Sequence, residues 1–394
     1  MRRVPRSPGP WALHPQVSRG SGRRAAGGPG EGGVTDRHSR AMVLERPGVF
    51  REASYPLPEP RDEEFLLRVE RVTICGGDLI EVDGLNRKAH YPLLLGHEVV
   101  GRIEALGSAA AARRGLRVGS RVMVEPYISC GVCEFCTIGA YHFCREGLVY
   151  GVTVPCTRPP HLWGAYSEYL YGAPGAHVHA IDEMVPAEAA CLTSVVANGV
   201  RWVRTRGRGQ VGEAILVLGL GVQGLATVIA AREAGLGPIV AAARRRNVRK
   251  LELAKRYGAH VILDVEAPDI CEQIAESLSG QPLPLAVECT GFERLIDLAV
   301  QALGPGGRLV LAGTTGGQRH ALDVDAVVFK EIDILGGLGQ AHDTELAARI
   351  VNSRRYPVEQ MVTHTFPLCE APAAIGLFKE GRDDVIHVAL DPWQ

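Results

Sequence analysis

The chain has no apolar run approaching the roughly 20 residues that a bilayer-spanning helix requires, so no conventional membrane anchor is written into it. It also lacks an excess of charge of either sign. Forty-three Lys and Arg against 44 Asp and Glu leave a formal net charge of −1, with no global field to recruit nucleic acid or an anionic membrane surface. No internal repeat is visible, which argues against a solenoid. Residues 1–40 contain few acids and few large apolar side chains among many Arg, Gly, Pro and Ser. Without an apolar centre this stretch is no secretory signal, and its Gly and Pro spoil the amphipathic helix of an organelle transit peptide. It cannot bury enough surface to fold and is expected to be a disordered extension, an upstream start ahead of Met42 being the bland explanation.

What is present fits a two-domain globular enzyme: 394 residues, 46% hydrophobic and 22% charged. From Ala41 to about Ile181, short β-branched runs such as Phe65–Val69, Val99–Ile103 and Arg121–Val124 alternate with Gly, Pro and Asp, the pattern of strands and turns. Beyond Pro186, fully apolar runs (Ile215–Leu218, Pro238–Ala242, Val261–Leu263, Leu285–Glu288, Arg308–Ala312) alternate with Ala-rich amphipathic stretches. Buried strands separated by helices indicate a parallel sheet with crossover connections. A helix at Thr344–Asn352 and strands near Val362–Phe366 and Val385–Leu390 are expected to return to the first domain. The expected fold class is therefore α/β: a β-rich domain over 41–195, a doubly wound parallel sheet over 196–337, and a return over 338–394.

Ile215-Leu-Val-Leu218 runs into Gly219-Leu-Gly221-Val222-Gln223-Gly224 and then a helical pattern. A lone G-x-G-x-x-G is weak, but this one follows a buried strand and opens a helix, where a dinucleotide site needs it. Gly219 permits the tight turn, Gly221 the approach of the pyrophosphate, and Gly224 the packing of helix on strand. The helix start at Val222 and Gln223 offers unpaired N–H groups to the phosphates. The next strand ends in Arg244-Arg245-Arg246, where an NAD site places an acid for the ribose 2′-hydroxyl. Arginine suits a 2′-phosphate, so NADP is the expected cofactor, with NAD the alternative.

Ten cysteines in a chain with its own core point to metal more than to disulfide staples. Cys130, Cys133, Cys136 and Cys144 have the spacing to enclose one tetrahedral zinc with no open position, whereas two bridges would fit so tight a loop poorly. Cys75 and His97, each weak alone, suggest an open zinc site, with Asp78 able to fix the imidazole through its second nitrogen. Cys156, Cys271, Cys289 and Cys369 read as buried apolar residues. His161, His177 and His179 read as surface or core histidines.

With these motifs in order, the sequence strongly resembles the zinc-dependent alcohol dehydrogenase branch of the medium-chain dehydrogenase/reductase superfamily. The likeness runs from Ala41 to Leu390 and rests on Cys75-Gly-Gly-Asp78, Gly96-His-Glu-Val-Val-Gly101, the four-cysteine lobe and Gly219–Gly224. Glu288-Cys-Thr-Gly291 and Pro305-Gly-Gly307 add to it. The resemblance implies a GroES-like catalytic domain joined to a Rossmann domain, with nicotinamide and zinc in the cleft between them. It places Cys75 and His97 as catalytic-zinc ligands, Glu98 as the nearby carboxylate, and Cys130, Cys133, Cys136 and Cys144 at the structural site. It further implies a small alcohol, aldehyde or ketone substrate, no nucleic-acid or membrane partner, and a homo-oligomer, dimer or tetramer. Trp163 would lie near the substrate pocket.

Two departures stand out. The position of the third catalytic ligand is Ser194, a poor ligand beside thiolate or carboxylate, so that Ser194, Cys191 one turn earlier, or Glu98 could complete the set. The place of the family's relay hydroxyl is Gly77, so the proton must leave through water or through a group on the substrate. These departures keep two alternatives in view, a zinc-free reductase retaining only the structural ion and a non-catalytic dinucleotide sensor. Cytoplasmic residence is the expectation, from the absent signal and the reduced thiolates.

Overall fold

A computed structural model of the chain describes residues 34–86 and 89–394. Nine strands build the first half: β1 (Val34–Arg46), β2 (Val49–Pro58), β3 (Phe65–Thr73), β4 (Leu93–Leu94), β5 (Glu98–Leu106), β6 (Arg121–Ile128), β7 (Leu148–Val149), β8 (Tyr169–Gly172) and β9 (Ala176–Ala180). Six follow in the α/β region: β10 (Ile215–Leu218), β11 (Ile239–Ala243), β12 (Val261–Asp264), β13 (Leu283–Glu288), β14 (Leu303–Leu311) and β15 (Asp333–Gly336). Two close the chain, β16 (Val362–Pro367) and β17 (His387–Asp391).

Regular structure is present before Ala41. β1 already runs from Val34 and pairs antiparallel with β2, with Arg40 opposite Ser54 and Ser39 opposite Tyr55. Ser39 is fully buried, and Arg40 reaches Glu168 at 2.7 Å. A polar segment is thus held by ladder hydrogen bonds and two ion pairs, Arg37–Glu104 and Arg40–Glu168, long-range pairings that local composition does not reveal. Of the stretch 1–40 expected to be disordered, residues 1–33 lie outside the described residues.

The catalytic half is a curled sheet in the order β16-β17-β3-β5-β6-β7, with β8 on β3 and β9 on β6, beside a small β2-β1-β4 sheet. β17 joins β3 antiparallel, with Leu390 opposite Val72, which sets the last strand into the first-half sheet. The second sheet is wholly parallel in the order β12-β11-β10-β13-β14-β15, the doubly wound arrangement of a Rossmann domain. β10 shows why its sequence is apolar throughout: Ile215 and Val217 enter one core, Leu216 and Leu218 the other.

The two halves share a core through the helix Thr193–Val200, of which only Asn198 is not buried. Its Val195, Val196 and Val200 pack with Val100 and Met123 of the catalytic sheet and with Val217 and Leu225 of the Rossmann domain. No helix among the described residues is long and apolar enough to cross a membrane.

Candidate active site and metal centres

Cys75 is the N-cap of the helix Gly76–Val82. Its Sγ accepts from Gly77 N at 3.4 Å, and Asp78 Oδ2 accepts from Cys75 N at 2.9 Å, closing a capping box. Tyr166 donates its hydroxyl to the same Asp78 oxygen at 3.1 Å. The other oxygen, Oδ1, faces His97 Nδ1 at 3.4 Å. Asp78 therefore ties the cysteine's backbone to the imidazole's orientation and leaves His97 Nε2 free for a ligand.

His97 ends a turn into β5 at Gly96, whose φ is +90°. A Cβ at Gly96 would lie 2.5 Å from the Tyr166 ring, so both conformation and space require glycine there. Glu98 opens β5 opposite Thr73 of β3. Its Oε2 accepts from the Thr73 hydroxyl at 2.6 Å and lies 3.1 Å from His387 Nε2 of β17. Burial alone would push the Glu98 carboxyl up, but the His387 ring, with His97 and Thr73, outweighs it and holds the group below its ordinary range.

Donor atoms of Cys75, His97 and Glu98 all lie within 4.8 Å of one another. Burial, with the Glu98 charge beside it, pushes the Cys75 thiol up to about 11, so a thiolate here calls for a cation. Thiolate, imidazole and carboxylate are the donor set of an open zinc site. The residues present fit that ion. Cys191 does not join them: it is fully buried and its thiol donates to Glu188 O at 3.2 Å. The Ser194 hydroxyl accepts from Gln340 Nε2 at 2.9 Å.

The second centre gathers Cys130, Cys133, Cys136 and Cys144, again with donor atoms within 4.8 Å. All four are free thiols, and backbone N–H groups already point at the sulfurs, Cys130 N at Cys144 Sγ (3.3 Å) and Cys133 N at Cys130 Sγ (3.4 Å). Backbone hydrogen bonds from Arg145 and Cys136 lower Cys133 to about 6. Four thiolates on one loop fit a closed zinc site.

The glycine motif forms the turn between β10 and the helix that follows it. Gly219 has φ +87°, and a Cβ there would meet Thr290 Cγ2 at 2.2 Å; a Cβ at Gly224 would meet Gly219 O at 1.8 Å, while Gly221 faces open space. Thr290 is held against the turn by Glu288, which accepts from Thr290 N (2.7 Å) and Gly291 N (2.9 Å). Val222 and Gln223 begin the helix Val222–Glu233 above β10, and Gln223 accepts from the Asn198 amide at 3.3 Å. At the end of β11, Arg244 and Arg246 approach Asp383 at 3.9 and 3.2 Å, and Arg245 N contacts Asp264 Oδ1 at 3.3 Å. Half-buried Lys250 is lowered by burial and by Arg244 against the pull of Asp383.

Three expectations need correction. Trp163 is buried in the catalytic core, stacked edge-on to Tyr171 and donating to Arg158 O at 2.9 Å. Cys271 and Cys369 are exposed rather than buried. Sequence reading also missed Thr73, His387, Gln340, Asp383 and Tyr127. His387, Gln340, Asp383 and Tyr127 come from distant segments, whereas Thr73 ends β3 two residues before Cys75. Tyr127 of β6 is sensed electrostatically by both His97 and Cys75, and burial raises its hydroxyl to about 12, keeping it protonated.

Residues 61–183 match the alcohol dehydrogenase GroES-like domain, and residues 223–353 match the zinc-binding dehydrogenase domain. A "probable alcohol dehydrogenase" of Mycobacterium tuberculosis is 35% identical over 367 residues, covering 90% of this chain and 98% of the relative. Human sorbitol dehydrogenase is 30% identical over 358 residues, covering 89% and 96%. A zinc-binding dehydrogenase of Sinorhizobium meliloti, solved with NADP bound, superposes with a TM-score of 0.78 at 25% identity, covering 91% of this chain and all of that one. The chain belongs to the zinc-dependent alcohol dehydrogenase family of the medium-chain dehydrogenase/reductase superfamily, and is an NAD(P)-dependent oxidoreductase.

Proposed function

We propose that the chain interconverts an alcohol bearing a second hydroxyl and its carbonyl form, with NADP as the preferred cofactor and zinc held by Cys75, His97 and Glu98. The observation that carries this reading is the convergence of those three donors beside the helix that joins the two domains. When bound, zinc supplies Lewis acidity towards the substrate oxygen and the nicotinamide supplies the hydride acceptor.

The chain's own residues do the rest. Asp78 orients His97, Glu98 is fixed by Thr73 and His387, and the Gly219–Gly224 turn with the helix start at Val222 and Gln223 seats the pyrophosphate. Gly77 offers no hydroxyl for proton transfer, although a side chain would fit: its Cβ would sit 3.6 to 3.8 Å from His97 and Cys75 atoms. A second hydroxyl on the substrate can carry that proton, with neutral Tyr127 near the metal donors as its hydrogen-bond partner. The likeness to a sorbitol dehydrogenase supports a polyol or diol. The arginines after β11, with Lys250, outnumber Asp383 and favour a 2′-phosphate.

The test is zinc per chain together with turnover of a diol and monoalcohol panel. About two zinc ions, falling to about one in Cys75→Ala, with diols turned over faster, is the expected result. About one ion, unchanged by the substitution, would overturn it in favour of the zinc-free reductase that Ser194 suggests.

We also read the chain as a homo-oligomer. Val324, Val328 and Phe329 are exposed large apolar residues shortly before β15, the edge strand of the Rossmann sheet. The ten free cysteines support a reducing, cytoplasmic setting. Light scattering checks the assembly, and a monomer at micromolar concentration would contradict it.

A further inference from the structure

The segment 337–343 leaves the carboxyl end of β15 and is fastened at nearly every residue. Trp202 Nε1 donates to Gly337 O at 2.8 Å and Arg201 Nε to Leu338 O at 2.9 Å. Gly339 packs against Tyr127, where a Cβ would lie 2.2 Å from the hydroxyl. Gln340 bonds Ser194, and Asp343 takes Arg201 Nη1 at 3.1 Å and the Thr205 hydroxyl. Two more fastenings come from the four-cysteine lobe. His342 N donates to Tyr141 Oη at 2.9 Å, and that hydroxyl donates to buried Glu125 at 2.8 Å. His142 Nε2, next along the lobe, accepts from Arg201 Nη2 at 3.2 Å. Gly139 of the same lobe lies so close to His342 that a Cβ would approach its Nε2 to 2.7 Å.

This placement gives the lobe a task. Ligands of a doubly wound sheet lie outside the carboxyl ends of its strands. The arginines at the end of β11 mark the ribose half of that edge, so the exits of β13 to β15 serve the nicotinamide half. Segment 337–343 occupies the last of those exits and touches Tyr127 and Ser194, both on the catalytic side. His342 has φ +63°, a left-handed conformation uncommon for a non-glycine residue, and its backbone N–H is tied to Tyr141.

We infer that the four-cysteine lobe, through Tyr141 and His142, positions segment 337–343 against the nicotinamide half of the cofactor. The closed metal centre then acts on cofactor affinity as well as on stability, with Tyr141, His142 and Arg201 as positioning residues. The inference rests on dinucleotide binding at the carboxyl edge.

The test is Tyr141→Phe in the full-length enzyme, which keeps the ring on His177 and removes only the hydroxyl. Three readouts apply: zinc content, affinity for the reduced dinucleotide by its fluorescence, and amide exchange along the chain. Unchanged zinc, an affinity weakened about three- to tenfold, a raised cofactor KM with kcat little altered, and faster exchange confined to 337–343 are expected for loss of the hydroxyl that bonds His342 N and Glu125. Unchanged affinity and exchange would overturn the inference, as would a loss spread over the whole chain. If the variant does not fold, Arg201→Lys removes the links to His142 and Leu338 instead and is read in the same way. A wild-type enzyme that binds no dinucleotide would refute the functional reading itself.

Discussion

Gln340 donates its side-chain amide to the Ser194 hydroxyl across 2.9 Å, and both residues are buried. The resemblance to the family puts a third metal ligand at Ser194, and in this chain that side chain is engaged in a neutral hydrogen bond. The third donor gathered with Cys75 and His97 is Glu98, supplied by the first residue of β5. The proposed ligand set thus draws its third donor from the catalytic sheet and not from the interdomain helix.

Glu98→Gln is therefore expected to remove the catalytic ion, lowering zinc from about two per chain to about one and turnover by at least about 100-fold. Ser194→Ala should keep both ions. Metal analysis of the two variants decides between them, and loss of an ion in Ser194→Ala would return the ligand role to the helix.

Arg244→Ala should raise KM for NADPH about tenfold and leave KM for NADH within about twofold, since only the former carries the 2′-phosphate. Asp383→Asn should act oppositely, because the carboxylate now beside Arg244 and Arg246 competes for them. The pair is solvent-exposed, so an improvement of no more than about fivefold is expected, measured with 2′,5′-ADP against 5′-AMP. Equal changes for both probes would contradict the assignment.

Gly96→Ala places a methyl group 2.5 Å from the Tyr166 ring at a φ of +90°. A stability loss of about 1–3 kcal/mol is expected from overpacking, in denaturant melts. His97 follows directly in sequence, so catalytic zinc should fall with stability while the four-cysteine ion stays. A variant as stable as wild type would show that the turn has room.

Glu125 is buried between the Tyr141 hydroxyl (2.8 Å) and His179 Nε2 (2.7 Å). Burial pushes its carboxyl up, but the hydrogen bond and charge of His179 prevail and the net shift is downward. A depressed native pKa means that the unfolded chain binds the proton more tightly. The contribution to stability is thus present above the ordinary Glu value of about 4.3 and lost as pH falls through the lower native one. The stability gap between wild type and Glu125→Gln should narrow from about pH 6 towards about pH 3.5. A gap constant across that range would mean that Glu125 contributes no pH dependence.

The parts of the site that were legible in the sequence share one property: their information is local. Gly219, Gly221 and Gly224 differ in role because one turn demands a positive φ, an open approach and a close packing within six residues, and the spacing alone carries that demand. The four cysteines from Cys130 to Cys144 lie on one short lobe that can bring its own sulfurs together. The apolar strands β10 and β11 likewise announce burial on both faces. β1, by contrast, begins in polar residues whose partner is a neighbouring strand, and its start at Val34 went unread for that reason.

Sequence alone pointed to the β-rich and α/β halves, the glycine turn, the four-cysteine lobe and the Cys75–His97 pair, because each is written in residues close in the chain or in a fixed motif. Tertiary structure alone brings Glu98 within 4.8 Å of that pair, and sets Thr73 and His387 against its carboxylate. It also brought Asp383 to the arginines after β11 and His342 to Tyr141. Those contacts join residues up to 289 positions apart, as with Glu98 and His387. They arise from how β17 pairs with β3 and how the exit of β15 meets the lobe, and no local pattern of residue types specifies such meetings.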